Sequence, residues 1–250
     1  MKKKYKYVVV SGCSFTASDA PNLPKKGETY GDLIAKHFGA KHYNLAESGG
    51  SVYYVNRTIL EWCGKNKDKL KDTLIILGMP CLDRWTLWSN LSKQWVNINT
   101  NFLTSPHLNE FFYSFNIQDM EKYVKNSWNE NDQLRSAINI IVGLQSFFKV
   151  SNIDHVFFDA SASSEWEPAY SEYWKECDEH SFGEQYSNKL LWDSLIETEH
   201  WYIHPKYKGF IGLTRNNLDM RISEDDLHPN KEAHKYWAEC LLEYINDKKV

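Results

Sequence analysis

Three short apolar segments near the start of the chain each run into a glycine turn, and that repetition narrows the folds open to it. Tyr7-Val8-Val9-Val10-Ser11 leads into Gly12-Cys13-Ser14. A short segment over 41–45 leads into Ala46-Glu47-Ser48-Gly49-Gly50-Ser51, and Thr73-Leu74-Ile75-Ile76-Leu77 stops at Gly78. The third has no polar alternation, the pattern of a strand covered on both faces of a parallel sheet. Helical patterns separate them: Leu33, Ile34, His37 and Phe38 share a face before Gly39, and Val52, Val55, Ile59, Leu60 and Cys63 share one that Gly64 is expected to end. Alternating strand and helix predicts a parallel sheet with right-handed crossovers.

The pattern resumes twice more. Leu134, Ala137, Ile138, Ile141, Val142 and Phe148 have helical spacing and precede the strand His155-Val156-Phe157-Phe158-Asp159, and Ala233, Trp237, Leu241 and Tyr244 mark a last helix opened by Pro229 and Asn230. Two stretches lack a period. Residues 80–130 gather Trp85, Trp88, Trp95 and Trp128; residues 160–224 suggest only helical fragments, around Tyr170–Cys177 and Ser187–Ile196, and hide any fifth strand. With no repeat and no linker, one domain over 1–250 carrying these two insertions is expected. The fold class is α/β: three layers, α/β/α, around a flavodoxin-like parallel sheet, with the strands leading to Ser14, Gly49 and Gly78 adjacent at its centre.

Composition removes several functions. The formal charge is -4 and the basic run Lys2-Lys3-Lys4 stands alone, so no phosphate-neutralising face and no nucleic-acid partner is expected. The five cysteines, at 13, 63, 81, 177 and 240, are odd in number, scattered and free of any C-x-x-C pair, which argues against a disulfide framework and for a reducing, cytoplasmic setting. The apolar run at Tyr7–Val10 is shorter than the ~7 to 15 residues of a signal h-region. Nothing approaches the ~20 apolar residues of a membrane span, so no membrane partner is expected. The oligomeric state is left open.

In open α/β sheets, sites form beyond the carboxyl ends of the strands. Ser14 stands at such an end. By itself it reads as a turn cap; with a base it becomes a nucleophile. His228 could be that base, with Asp225, three positions ahead, holding its Nδ1, while Asp226 is expected to be solvated. The N–H groups of Ser14 and Gly49 could face a developing oxyanion, although Gly49 and Gly50 also read as plain turn residues. Asp159 could face the site or cap a loop. Cys177-x2-His180 and His200-x3-His204 carry ligand types without a regular zinc pattern, so neither metal nor organic cofactor is expected.

These blocks resemble those of the SGNH (GDSL-type) hydrolases. Gly12-Cys13-Ser14-Phe15-Thr16 is similar to the first block, Asn44-Leu45-Ala46-Glu47-Ser48-Gly49 to the second, and Asp225-Leu227-His228 to the last, Asp-x-x-His. The resemblance implies a serine esterase with Ser14 as nucleophile, His228 as base, Asp225 as orienting acid, and Ser14 and Gly49 amides in the oxyanion hole. It also implies a small-molecule or carbohydrate ester as substrate, with acetyl groups on a sugar the expected class and Trp85, Trp88 and Trp95 available to stack on sugar rings. Two departures stand out. Cys13 replaces a usual aspartate, and Gly78-Met79-Pro80-Cys81 stands where the family has Gly-x-Asn-Asp, so the asparagine that donates to the oxyanion is missing and Pro80 has no N–H to offer. Arg84 is a possible substitute donor. The divergent third block is similar to bacteriophage-encoded members, for which a virion location would follow. Two other readings stay open: an SGNH-like domain with weak or no catalysis that binds a glycan or protein, and a flavodoxin-like binder whose Gly12–Thr16 loop holds an anion.

Overall fold

The computed structural model describes residues 5–90, 93–99, 122, 126, 130–161, 192 and 194–248. Five strands form the main sheet: β1 (Tyr7–Ser11), β2 (Lys41–Asn44), β3 (Thr73–Met79), β6 (Asp154–Asp159) and β7 (Trp201–Tyr202), in the order β2-β1-β3-β6-β7, with every pairing parallel. This is the doubly wound order expected from the alternation. One expectation needs correction, because β2 lies at the edge of this sheet and the strands leading to Ser14 and Gly78 lie inside it.

The two faces are read residue by residue from the strands. Val8 and Val10, Leu74 and Ile76, and Val156 and Phe158 point to one side, where Ile34 of helix α1 (Tyr30–Phe38) and Trp237, Leu241 and Ile245 of helix α5 (Lys231–Lys248) cover them. Val9, Ile75, Leu77 and Phe157 point to the other side, under Val55 and Ile59 of α2 (Val52–Lys65) and Ile138, Ile141 and Phe148 of α3 (Glu130–Val150). Strand alternation thus feeds two separate cores, and each fully buried Ile, Leu or Phe contributes roughly 1.5–3 kcal/mol. Gly64 does not end α2, which continues to Lys65. A single glycine costs a helix only about 1 kcal/mol, less than the buried face of α2 contributes.

The first aperiodic stretch contains a hairpin, β4 (Arg84–Ser89) paired antiparallel with β5 (Gln94–Asn99). In the second lie β7, the fifth strand of the sheet, and a short helix α4 (Phe210–Asn216). The helical fragment expected at Tyr170–Cys177, and all but a few residues of the one at Ser187–Ile196, lie outside the described residues.

The carboxyl ends of the strands meet through glycine. A Cβ on Gly12 would stand 2.7 Å from the Gly78 carbonyl oxygen and 2.6 Å from Thr16 Oγ1, and one on Gly50 would stand 2.7 Å from the Gly12 carbonyl oxygen. At the opposite flank α1 is pinned at both ends. Thr29 and Asp32 form a capping box, and Gly39, at φ 65°, closes the helix in the left-handed conformation. Burial acts to raise the Asp32 pKa, but hydrogen bonds from His42, Thr29 and Gly27 outweigh it and hold the carboxyl at about 2.

Two outcomes follow from this packing. Gly12→Ala is expected to destabilise the protein by about 1–3 kcal/mol in urea unfolding, since the methyl would meet the Gly78 backbone oxygen as well as the Thr16 side chain. For Asp32 the folded-state pKa is depressed, so its stabilisation is present above the unfolded value of 3.8 and is lost as pH falls through about 2. The stability gap between wild type and Asp32→Asn, measured by thermal unfolding, should therefore close across that window.

Candidate active site

Ser14 is placed by the turn that ends β1. The carbonyl of Cys13 accepts from the N–H groups of Thr16 and Ala17, winding the chain once and leaving Ser14 at the lip with 7% exposure. Asn44, the last residue of β2, donates through Nδ2 to the Thr16 carbonyl and accepts the Ala46 N–H, so one side chain ties the Ser14 turn to the following one. Ser48 does the same from the other side, giving its N–H and hydroxyl to the Asp19 carboxylate.

His228 arrives from the far end of the chain. Its Nε2 lies 2.7 Å from Ser14 Oγ, and its Nδ1 lies 2.6 Å from Oδ1 of Asp226. The carboxylate at Nδ1 is therefore Asp226 and not Asp225, which is exposed and makes no hydrogen bond among the described residues. The reason is local turn chemistry. Asp226 Oδ1 also accepts the backbone N–H of His228, two residues on, at 3.0 Å, which is the Asx-turn arrangement and is open only to the residue at that spacing. Partial burial works against ionisation of Asp226, yet these two bonds from His228 prevail and its pKa is lowered. A carboxylate at Nδ1 demands a proton there, which leaves Nε2 as the acceptor for the Ser14 hydroxyl. Phe15 packs against the imidazole, ring centres 5.1 Å apart, and limits its rotation.

The loop that carries Asp226 and His228 has its own scaffold, which the sequence does not announce. Arg221 spends its guanidinium on three carbonyls, those of Thr214, Arg215 and Glu224. Asn230 donates to the carbonyls of Asp219 and Arg221 and accepts the Ala233 N–H at the start of α5. The His228 carbonyl in turn accepts the Ile222 N–H. Cation and amide together hold the loop shut against the helix.

Other expected residues separate into those near Ser14 and those elsewhere. The N–H groups of Ser14 and Gly49 donate to no described residue, and Gly49 has φ +79°, a conformation that favours glycine. Arg84 lies beside the Cys13 and Cys81 sulfurs, with Nε and Nη1 buried and unpaired among the described residues, and its Nε stands 3.8 Å from Asp83 Oδ1. Cys13 Sγ and the Cys81 N–H both reach the Ser161 hydroxyl, which therefore sits under the Ser14 turn. Asp159 is buried and packed against Gly209 at the start of α4. Trp85 is buried, whereas Trp88 and Trp95 are 46% and 48% exposed and meet edge to face on the hairpin, where Arg57 lies over Trp95. Trp128, Cys177 and His180 lie outside the described residues.

The His200-x3-His204 pair does not form a shared ligand set. His204 Nδ1 accepts two backbone N–H groups and its Nε2 meets the Tyr236 hydroxyl. His200 groups instead with Glu197 and Glu199, at 4.0 and 3.7 Å from its Nε2, but Lys149 already engages Glu197 at 2.7 Å. Among the described residues no helix is long and apolar enough to cross a membrane.

No family model matches the chain, and no curated protein matches it in sequence. Solved structures do. The esterase EstA from Pseudoalteromonas sp. aligns over 97% of this chain and 97% of its own with a TM-score of 0.51 at 11% identity. TesA aligns over 97% and 99% with a TM-score of 0.52 at 9% identity. A looser likeness, TM-score 0.46 at 14% identity, links 98% of the chain to 96% of Axe2, an acetylxylan esterase from Geobacillus stearothermophilus. The α/β fold is that of the esterase EstA, in agreement with the resemblance of the sequence blocks.

The Asp226 assignment has a direct spectroscopic readout. In nitrogen-15-labelled protein, Asp226→Asn is expected to abolish the downfield Nδ1 proton signal of His228, and Asp225→Asn to leave it in place.

Proposed function

We propose that the protein is a serine esterase of SGNH type, with Ser14 as nucleophile, His228 as general base and Asp226, in the role first expected of Asp225, as the orienting acid. The observation that carries this reading is the continuous line Ser14 Oγ to His228 Nε2 at 2.7 Å and His228 Nδ1 to Asp226 at 2.6 Å, at the carboxyl end of the sheet in an esterase fold.

In the proposed step the Ser14 oxygen bonds to the ester carbonyl carbon while its proton passes to Nε2, and the carbonyl oxygen takes up the negative charge. Asp226 stabilises the imidazolium that results. The unengaged N–H groups of Ser14 and Gly49 receive the oxyanion. Collapse breaks the bond to the alkoxy group, which leaves with the proton from Nε2, and water then hydrolyses the acyl-serine by the same route. Arg84 is a candidate substitute donor: its guanidinium lies beside Cys13, the residue before Ser14, with buried nitrogens unpaired among the described residues. A group within that reach would offset part of the ~10²- to 10³-fold rate that one absent oxyanion donor typically costs.

For the substrate we favour an acetylated carbohydrate. Trp88 and Trp95 offer exposed ring surface on the hairpin that starts at Arg84, and such surface suits the apolar face of a sugar. The alternative of a glycan-binding domain with no turnover uses the same surface and differs at Ser14.

A fluorophosphonate probe separates the two. Labelling of the wild type that disappears in Ser14→Ala and drops steeply in His228→Ala is the expected result, and an unlabelled wild type leaves the binding domain in possession. Arg84→Ala should lower hydrolysis of p-nitrophenyl acetate; undiminished turnover would remove Arg84 from the oxyanion site.

A further inference from the structure

We infer that Asn97, on strand β5 of the hairpin, supplies the side-chain amide that completes the oxyanion hole; this rests on the esterase reading above. Asn97 stands over the second glycine turn, its Cβ 3.9 Å from the point that a Cβ on Gly49 would occupy. That turn is itself seated on the nucleophile turn, since the Glu47 N–H donates to the Gly12 carbonyl and Gly50 packs against the same oxygen. Asn97 thus borders a glycine whose backbone N–H has no other partner among the described residues.

Its orientation is determined by the hydrogen-bond chain behind it. Ser51, the N-cap of α2, accepts the Tyr54 N–H at its hydroxyl oxygen. Ser51 and Thr86 hydroxyls meet at 2.6 Å, and Thr86 donates to Asn97 Oδ1 at 2.7 Å. Thr86 has one proton and gives it to Asn97, so the Ser51 proton must go to Thr86, and every donor in the line points toward the amide oxygen. Nδ2 is left on the outer side, 3.3 Å from Glu47 Oε1. Reversing the amide would set its oxygen against that carboxylate, so the network admits one orientation. An NH2 group carries two protons, and the long contact to Glu47 takes at most one. The other remains to meet an oxyanion held by Gly49.

The hairpin therefore returns the kind of donor that Pro80, without an N–H or a polar side chain, cannot provide. Compared with Arg84, whose neighbours are the Cys13 and Cys81 sulfurs, Asn97 borders the Gly49 turn and is held at its oxygen by a fixed partner. Preorganised donors of this kind act on the transition state and not on ground-state binding.

The test is steady-state hydrolysis of p-nitrophenyl acetate and the rate of fluorophosphonate labelling by the full chain. Asn97→Ala is expected to lower kcat and the labelling rate by about 10²- to 10³-fold, while KM stays within about threefold. Asn97→Asp keeps the shape of the side chain and should lose as much or more, because it sets a negative charge beside the oxyanion. Thr86→Val, which frees the amide oxygen, should give a smaller loss in kcat alone. Leu87→Ala, at an exposed position on the opposite face of the hairpin, serves as the unchanged control. A kcat in Asn97→Ala within about twofold of wild type would overturn the inference, as would a loss expressed in KM alone. If Asn97→Ala fails to fold, the same two outcomes are measured on Asn97→Asp and decide the matter there. Failure of the underlying esterase reading looks different: wild type and Ser14→Ala would then be equally silent.

Discussion

The close approach of three chain turns at the carboxyl edge of the sheet is the constraint on which the rest of this molecule depends. Gly12 is at its hub. The turn after β1 touches the end of β3 at Gly78 and the turn after β2 at Gly50, with no room for a methyl group between them. Because those contacts involve backbone oxygens, the turns are positioned relative to one another with little slack. Ser14, Gly49 and the base of the hairpin at Arg84 inherit that positioning. Parallel strands in register deliver the three turns to one edge, and two cores on opposite faces of the sheet keep the strands flat against each other.

What enters this preformed edge from the other end of the chain is less self-supporting. His228 belongs to a loop tied down by polar side chains that satisfy backbone groups: Arg221 on three carbonyls, Asn230 bridging the loop to α5. Buried and partly buried carbonyls need such partners, so the arginine satisfies the loop and shapes it in the same act. The result is an imidazole held between a hydroxyl and a carboxylate, with Phe15 against its ring.

Much of this was legible in the residues, and the exceptions share a physical cause. β3 was plain because a strand buried on both faces is a nearly unbroken apolar run, β1 and β6 because each has a compact Val or Val-Phe-Phe centre, and α1 because capping chemistry brackets it at Thr29 and Gly39. The β4–β5 hairpin was not, since Trp85 faces inward while Trp88, three positions on, faces out, and a run of six residues with tryptophan on both faces has no readable period. β7 has two residues, too few to carry a pattern. Asp225 and Asp226 are adjacent and chemically identical in sequence. Only the turn, through the bond from the His228 N–H to the Asp226 carboxylate, distinguishes them.

By itself the sequence determined the class of fold and the lack of an N–H at Pro80, and it offered Ser14 and His228 as candidate partners through the blocks that carry the resemblance. Tertiary structure alone decided which aspartate holds the histidine, that β2 stands at the edge of the sheet, and that Asn97 comes to lie over Gly49. The last two depend on distances between segments far apart in the chain, and the first on the turn that the His228 N–H closes onto Asp226. Residue type constrains what a group can do; which group stands within about 3 Å of it is a property of the packed molecule.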